Sequence, residues 1–288
     1  MIQGVYVANV TPFAADGAID TAAYIGHVEW LAERGVQGIV PFGTNGEGPS
    51  IGMDEKLPVL EALFALDLPL QIIPCVGQSS LPDTLEMVRA LQGFPAEALL
   101  VMPPYFFKPA PMEGLRRFYD TVVRSATHPV IVYHIPQFAV AVPAGVVAGC
   151  DVWGVKDSGA DVDYGAAVLR TGKKVLFGSE HDLWRRLSLG APGVITALGN
   201  FMPEAMTAMD RCVRTGDDVE GKALSDRIER IQKEVLAYVG PAPVKRLAEA
   251  RHGIPMGGVR PPLIDVEENF DAQRILDLTG ADLSRARF

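Results

Sequence analysis

Cysteine is scarce and shows no pairing pattern. Cys75, Cys150 and Cys212 lie far apart with no CxxC, which supports neither a disulfide framework nor a zinc knuckle and suits a reducing cytoplasm. No run approaches the roughly 18 apolar residues of a membrane-spanning helix, so no membrane partner is expected. The first residues, MIQGVYVANV, lack a basic stretch ahead of an apolar one, and no secretory signal is read there. Basic residues are in the minority. The 26 Lys and Arg face 35 Asp and Glu, a net charge of −9 that argues against nucleic acid. The phosphate-loop, HExxH and GxSxG patterns are missing. Gly43–Gly48 reads GxxGxG, not the dinucleotide GxGxxG, and it follows the second apolar run instead of the first.

What is present is a large apolar fraction, 48% of 288 residues, in a recurring pattern. Short apolar runs occupy Val5–Val10, Ile39–Phe42, Leu70–Val76, Ala98–Met102, Val130–Ile135, Val152–Lys156, Val175–Phe177 and Val194–Ala197. Most are apolar at consecutive positions, the pattern of strands buried on both faces of a parallel sheet. Helical spacing lies between most of them: Ala22–Glu33 with Asp20 as N-cap, Leu57–Leu66 with Pro58 in its first turns, Leu81–Leu91, Glu113–Arg124, Asp161–Leu169 and Pro203–Val213. Eight strands alternating with helices predict an α/β fold, a (β/α)8 TIM barrel over residues 1–215. A doubly wound open sheet is the alternative. Past Gly216 the strand pattern stops, and Lys222–Val239, Val244–His252 and Asp271–Leu278 read as helices. Residues 216–288 are therefore expected to form a C-terminal helical extension packed on the barrel.

In a barrel, reactive side chains gather where strands end and lead into helices. The sixth run ends in Lys156. Burial strips an ammonium group of hydration and favours the neutral amine, which can attack a ketone and form a Schiff base. Pairing with Asp157 is the bland alternative. The fifth run ends in Tyr133, a phenol able to move protons, with His134 as the fallback; core packing is its alternative role. After the second run, Gly43, Thr44 and Asn45 offer a tight turn and donors for a carboxylate, or simply a turn. Glu180, His181 and Asp182 follow the seventh run and would be the metal ligands if a metal were used.

GTNGEG at Gly43–Gly48, YHIP at Tyr133–Pro136 and GVKDS at Gly154–Ser158 together resemble the dihydrodipicolinate synthase/N-acetylneuraminate lyase superfamily. Thr11-Pro12-Phe13, Pro103-Pro104-Tyr105, Gly193-Val194-Ile195-Thr196 and Val259-Arg260-Pro261-Pro262-Leu263 extend the resemblance over nearly the whole chain. The resemblance implies a barrel assembled as a homo-oligomer, a tetramer or dimer, and a small-molecule 2-oxo acid substrate. It implies catalysis by Lys156 as the Schiff-base residue, by Tyr133 as proton relay and by Thr44. It also implies a carboxylate loop at Gly43 to Asn45, Ile195 lining the pocket, and no metal or organic cofactor.

The departures bear on substrate. Phe138 stands where the synthases carry an arginine that grips a second carboxylate, and a phenyl ring cannot make that bidentate bond. Phe106 replaces a relay tyrosine, Asn45 a second threonine and His134 a common asparagine. The resulting expectation is a class I lyase or aldolase that joins or separates pyruvate and an aldehyde through a 2-oxo-3-deoxy acid. A dehydratase on a deoxy sugar acid, a 4-hydroxy-tetrahydrodipicolinate synthase and a metal-dependent barrel lyase are the alternatives. The loops Gln137–Val142, Ser158–Asp163 and Ser179–Asp182 are expected to set specificity.

Overall fold

The computed structural model describes residues 1–280. Its strands are β1 (Gly4–Val7), β2 (Gly38–Ile39), β3 (Gln71–Ile72), β4 (Cys75–Val76), β5 (Leu99–Val101), β6 (Val130–His134), β7 (Gly154–Asp157), β8 (Lys174–Phe177) and β9 (Gly193–Thr196). They form one sheet in the order β3-β2-β1-β9-β8-β7-β6-β5-β4, and the pairs with registered partners are parallel. β3 and β4 are the halves of a single barrel position. On one side Ile73 and Cys75 donate their N–H groups to Ile39 and Pro41, at 3.0 and 2.9 Å; on the other Leu100 donates to the Pro74 carbonyl at 3.0 Å. The ring therefore closes with eight positions, and β6 and β7 are the fifth and sixth.

Side chains alternate across each strand, and both faces are buried. Tyr6, Ile73, Leu100, Ile131, Leu176 and Ile195 fill the interior. Val5, Val7, Leu99, Val132, Val155 and Phe177 face outward into the helical layer. This double burial is why the runs read as continuously apolar. It also fixes parity: Tyr133 and Lys156 are registered partners, with Tyr133 in the interior cluster, while His134 and Asp157 take the opposite face.

The helices are α1 (Thr21–Ala32), α2 (Met53–Phe64), α3 (Leu81–Ala90), α4 (Met112–Ser125), α5 (Ala144–Gly149), α6 (Val162–Leu169), α7 (Leu183–Ser188), α8 (Pro203–Thr215), α9 (Asp218–Leu236), α10 (Ala242–His252) and α11 (Ala272–Leu278). Asp20 caps α1 as expected, accepting from the Ala23 N–H at 3.0 Å. α2 differs from its expected span. It starts at Met53, where the Glu55 carboxylate accepts the Gly52 N–H at 3.1 Å, and so encloses Pro58. An early start with a good cap offsets the one helical bond the proline removes. α5 and α7 were not foreseen, because six residues are too few to display a period. α9 begins at Asp218, not Lys222, because Asp217 caps it through the Glu220 N–H.

Helices α9 to α11 follow the barrel: α9 lies against α7 and α8, and α11 against α9 and α10. Ser225 on α9 accepts the Trp184 N–H at 3.1 Å, and a Cβ at Gly221 would strike the Trp184 ring at 2.1 Å. The end of the expected extension, 281–288, lies outside the described residues. Among the described residues no helix is long and apolar enough to cross a membrane, and all three cysteines are free and buried.

Candidate active site

Parity and register bring the reactive side chains together at the carboxyl ends of the strands. Lys156 Nζ donates to the Tyr133 hydroxyl at 3.2 Å and lies 4.3 Å from the centre of that ring. The Tyr133 hydroxyl lies 3.1 Å from Thr44 Oγ1. An amine, a phenol and an alcohol thus form one chain of proton-exchanging groups, with the lysine and tyrosine each only 2% exposed. Gly178 makes room for it: a Cβ there would come 2.2 Å from Ser158 Oγ and 2.8 Å from Lys156 Cε. Asp157 does not pair with Lys156. It turns to the outer face, where its Oδ2 lies 3.7 Å from Arg186 and burial pushes its carboxyl up to about 6. His134 also faces outward, stacking on Tyr164 at 3.8 Å and accepting the Val142 N–H through Nδ1.

The Gly43–Gly48 loop is a strained, tightly folded turn. Phe42 and Glu47 have φ of 59° and 54°, in the left-handed region. A Cβ at Gly48 would sit 1.8 Å from the Phe42 carbonyl oxygen, so only glycine fits. The Thr44 and Asn45 N–H groups meet no protein acceptor among the described residues, which leaves them available to an anion.

The turn is held from the far end of the chain. Glu47 is buried, and its carboxylate accepts from Lys245 Nζ at 3.3 Å and from the Arg260 N–H at 2.9 Å. Burial pushes the Glu47 carboxyl up, and these two partners pull it back. Phe13 lies under both cations, 4.4 Å from Lys245 Nζ and 4.5 Å from Arg260 Cζ. The TPF, GTNGEG and VRPPL motifs are therefore parts of a single support.

A cavity of about 430 Å³ opens above Lys156. Thr44, Asn45, Tyr133, Phe138 and Ile195 line it; Gly43 does not, because it sits inside the turn with its carbonyl on the Gly48 N–H. Gln137, Ser158, Ser179 and Glu180 line it from the foreseen loops. Gln232, Leu236, Tyr238, Val239 and Pro241 were not foreseen: the end of α9 and its connection to α10 roof the cavity. Glu180 points inward, accepting from Thr196 Oγ1 at 2.7 Å and Gln232 Nε2 at 2.8 Å, and burial pushes its carboxyl up. His181 points away, to Glu229 at 3.2 Å. The three adjacent candidate ligands do not converge, and no group of three or more His, Cys, Asp or Glu among the described residues is placed to hold a metal. A larger opening of about 720 Å³ lies at the amino ends of the strands, around Met1, Trp153 and Pro192, far from this chain of groups.

A closed parallel barrel with its polar chemistry gathered at the carboxyl ends of the strands is the architecture of a barrel enzyme. The chain belongs to the Dihydrodipicolinate synthetase family, whose sequence profile matches residues 1–278. Its members are Schiff-base-forming lyases, and so is this chain. It is 31% identical to a 4-hydroxy-tetrahydrodipicolinate synthase of Thioalkalivibrio sulfidiphilus over 281 residues, 94% of this chain and 95% of that one. Among solved structures it resembles the dihydrodipicolinate synthase of Acinetobacter baumannii complexed with pyruvate, with a TM-score of 0.91 and 28% identity, covering 97% and 99% of the two chains. A 2-keto-3-deoxygluconate aldolase variant of Sulfolobus solfataricus shares the fold, with a TM-score of 0.86 at 24% identity over 96% and 94% of the chains.

Proposed function

We propose that the protein is a class I lyase that cleaves a 4-hydroxy-2-oxo acid to pyruvate and an aldehyde, or runs that reaction in reverse. The observation that carries this reading is the contact of Lys156 Nζ with the Tyr133 hydroxyl at 3.2 Å, inside a cavity at the carboxyl ends of the strands. The free Lys156 amine adds to the C2 carbonyl, and loss of water gives an iminium. The substrate carboxylate rests on the N–H groups and side chains of Thr44 and Asn45, donors already in place before reaction. Tyr133, having given its proton to the departing hydroxide as the iminium forms, takes the proton of the C4 hydroxyl; the C3–C4 pair moves to the iminium nitrogen, and the aldehyde leaves. The resulting enamine takes a proton at C3, and water releases pyruvate. None of these steps needs a cofactor.

The names of the relatives favour a second reading, a 4-hydroxy-tetrahydrodipicolinate synthase. Phe138 at the position of the synthase arginine speaks against it. Dehydration through the same imine is the third. Product NMR separates them: pyruvate with an aldehyde supports cleavage, water loss with the carbon skeleton intact supports the dehydratase, and condensation with aspartate semialdehyde alone supports the synthase. Activity abolished by a chelator would contradict the imine route. The reading includes a cytoplasmic homo-oligomer. Phe106 and Phe107, 75% and 77% exposed on the loop after β5, are the apolar surface in favour of assembly. Light scattering that finds only a monomer would remove that part.

A further inference from the structure

We infer that the aldehyde half of the substrate is uncharged and apolar, an aryl or branched-alkyl group lodged in a second cavity beside the one over Lys156. This rests on the lyase reading above and adds the substrate class. The second cavity, about 290 Å³, is walled by Met102, Tyr105, Phe138, Pro241, Pro262 and Leu263. It shares Thr44, Phe138, Val239, Gly240 and Pro241 with the first cavity, so the two adjoin beside Thr44. A dry apolar cavity of roughly 150 Å³ takes benzene, so this one has room for a phenyl or isobutyl group.

Charge excludes the alternatives. Apart from Lys156, no lysine, arginine or histidine lines either cavity. A distal carboxylate or phosphate would find no cationic partner there, only a mostly apolar wall. The one carboxylate beside the second cavity, Glu47, is already engaged by Lys245 and Arg260. For a polyhydroxylated tail the first cavity offers the side chains of Asn45, Ser158 and Ser179, whereas the second offers only Thr44, Ser50 and Tyr105 in a mostly apolar wall. Both Glu180 oxygens are taken by Thr196 and Gln232, and the Gln137 amide donates to the Ser158 carbonyl at 2.8 Å. The rim is apolar as well, with Phe138, Leu236 and Val239 exposed by 58%, 69% and 79%.

The test is the aldol direction with the full chain and saturating pyruvate, comparing kcat/KM for benzaldehyde and isovaleraldehyde with glyceraldehyde and aspartate semialdehyde. Since one methylene in an apolar pocket is worth roughly 10–200-fold, the apolar pair is expected to lead by about tenfold or more. Leu263 is only half-buried, so Leu263→Asp folds and is expected to erase that lead, while Leu263→Met keeps it. Borohydride trapping of pyruvate is run alongside. A lead for glyceraldehyde or aspartate semialdehyde, or no turnover of the apolar pair, with pyruvate still trapped, overturns this inference and leaves the lyase reading standing. No trapping in the wild type overturns the lyase reading, and the inference with it.

Discussion

Tyr133→Phe removes a single oxygen and isolates the proton chemistry. That oxygen is 3.2 Å from Lys156 Nζ and 3.1 Å from Thr44 Oγ1, and it is the one hydrogen-bond partner of the amine among the described residues. The phenyl ring, 4.3 Å from Nζ, stays to pack against the lysine. Folding therefore loses two modest hydrogen bonds, about 1–2 kcal/mol net. In a chain of this size that lowers Tm by only a few degrees. In the proposed mechanism catalysis loses its acid–base group, typically a factor of 10² to 10⁴, or about 3–5 kcal/mol on the barrier at 1.36 kcal/mol per decade. The activity loss thus exceeds the stability loss. The assay is steady-state pyruvate release, with a thermal melt on the same sample. A kcat within a few-fold of wild type, at unchanged Tm, would refute the role given to the phenol. His134 could not then be substituted into the scheme, because its ring faces the outer layer against Tyr164.

Phe138→Arg puts a cation at the mouth of a site that has none beyond Lys156, and it is expected to raise kcat/KM for aspartate semialdehyde about tenfold or more; no gain would mean that position 138 does not meet the substrate's far end. Glu47→Gln breaks a pair in which Lys245 and Glu47 are 1% and 0% exposed, so a denaturant titration is expected to show a loss of about 3–5 kcal/mol and the pyruvate KM to rise as the Gly43–Gly48 turn, the proposed carboxylate site, loosens. Unchanged stability would show that the turn holds without that pair. Burial lowers the His27 imidazole to about 4, whereas in the unfolded chain it titrates at about 6.5. Between those values the unfolded state holds the extra proton, so stability is full above pH 6.5 and falls as pH drops toward 4, by about 3 kcal/mol from this group. His27→Leu is expected to flatten that slope in urea titrations at pH 7, 5.5 and 4.5, and an unchanged slope would contradict the assignment.

The barrel was legible from its strand pattern, and Lys156 and Tyr133 from their places at strand ends and the family motifs that contain them. Consecutive apolar residues marked strands buried on two sides, and strand parity puts Tyr133 and Lys156 on one face and turns His134 and Asp157 away. The Gly43–Gly48 turn was legible from its glycines. The structure shows that Gly43 shapes that turn without lining the cavity. What could not be read was contact between distant segments. Glu47 is held by residues 198 and 213 positions further on, and no local pattern carries such a pairing. The roof of the cavity was hidden for the same reason. Lys222–Val239 reads as an amphipathic helix, and nothing in its spacing says that Gln232 will meet Glu180, 52 positions earlier. The start of α2 was misplaced because Pro58 looked like a helix start, whereas the cap at Gly52 and Glu55 begins the helix earlier.

The central claim is a covalent bond between the Lys156 amine and a keto acid. Incubation with pyruvate and borohydride, followed by proteolysis and mass spectrometry of the peptide containing Lys156, tests it directly. The account predicts a reduced pyruvate adduct on that lysine, and none in Lys156→Ala. An adduct on another lysine, or no adduct in the wild type across the pH range of activity, would contradict it.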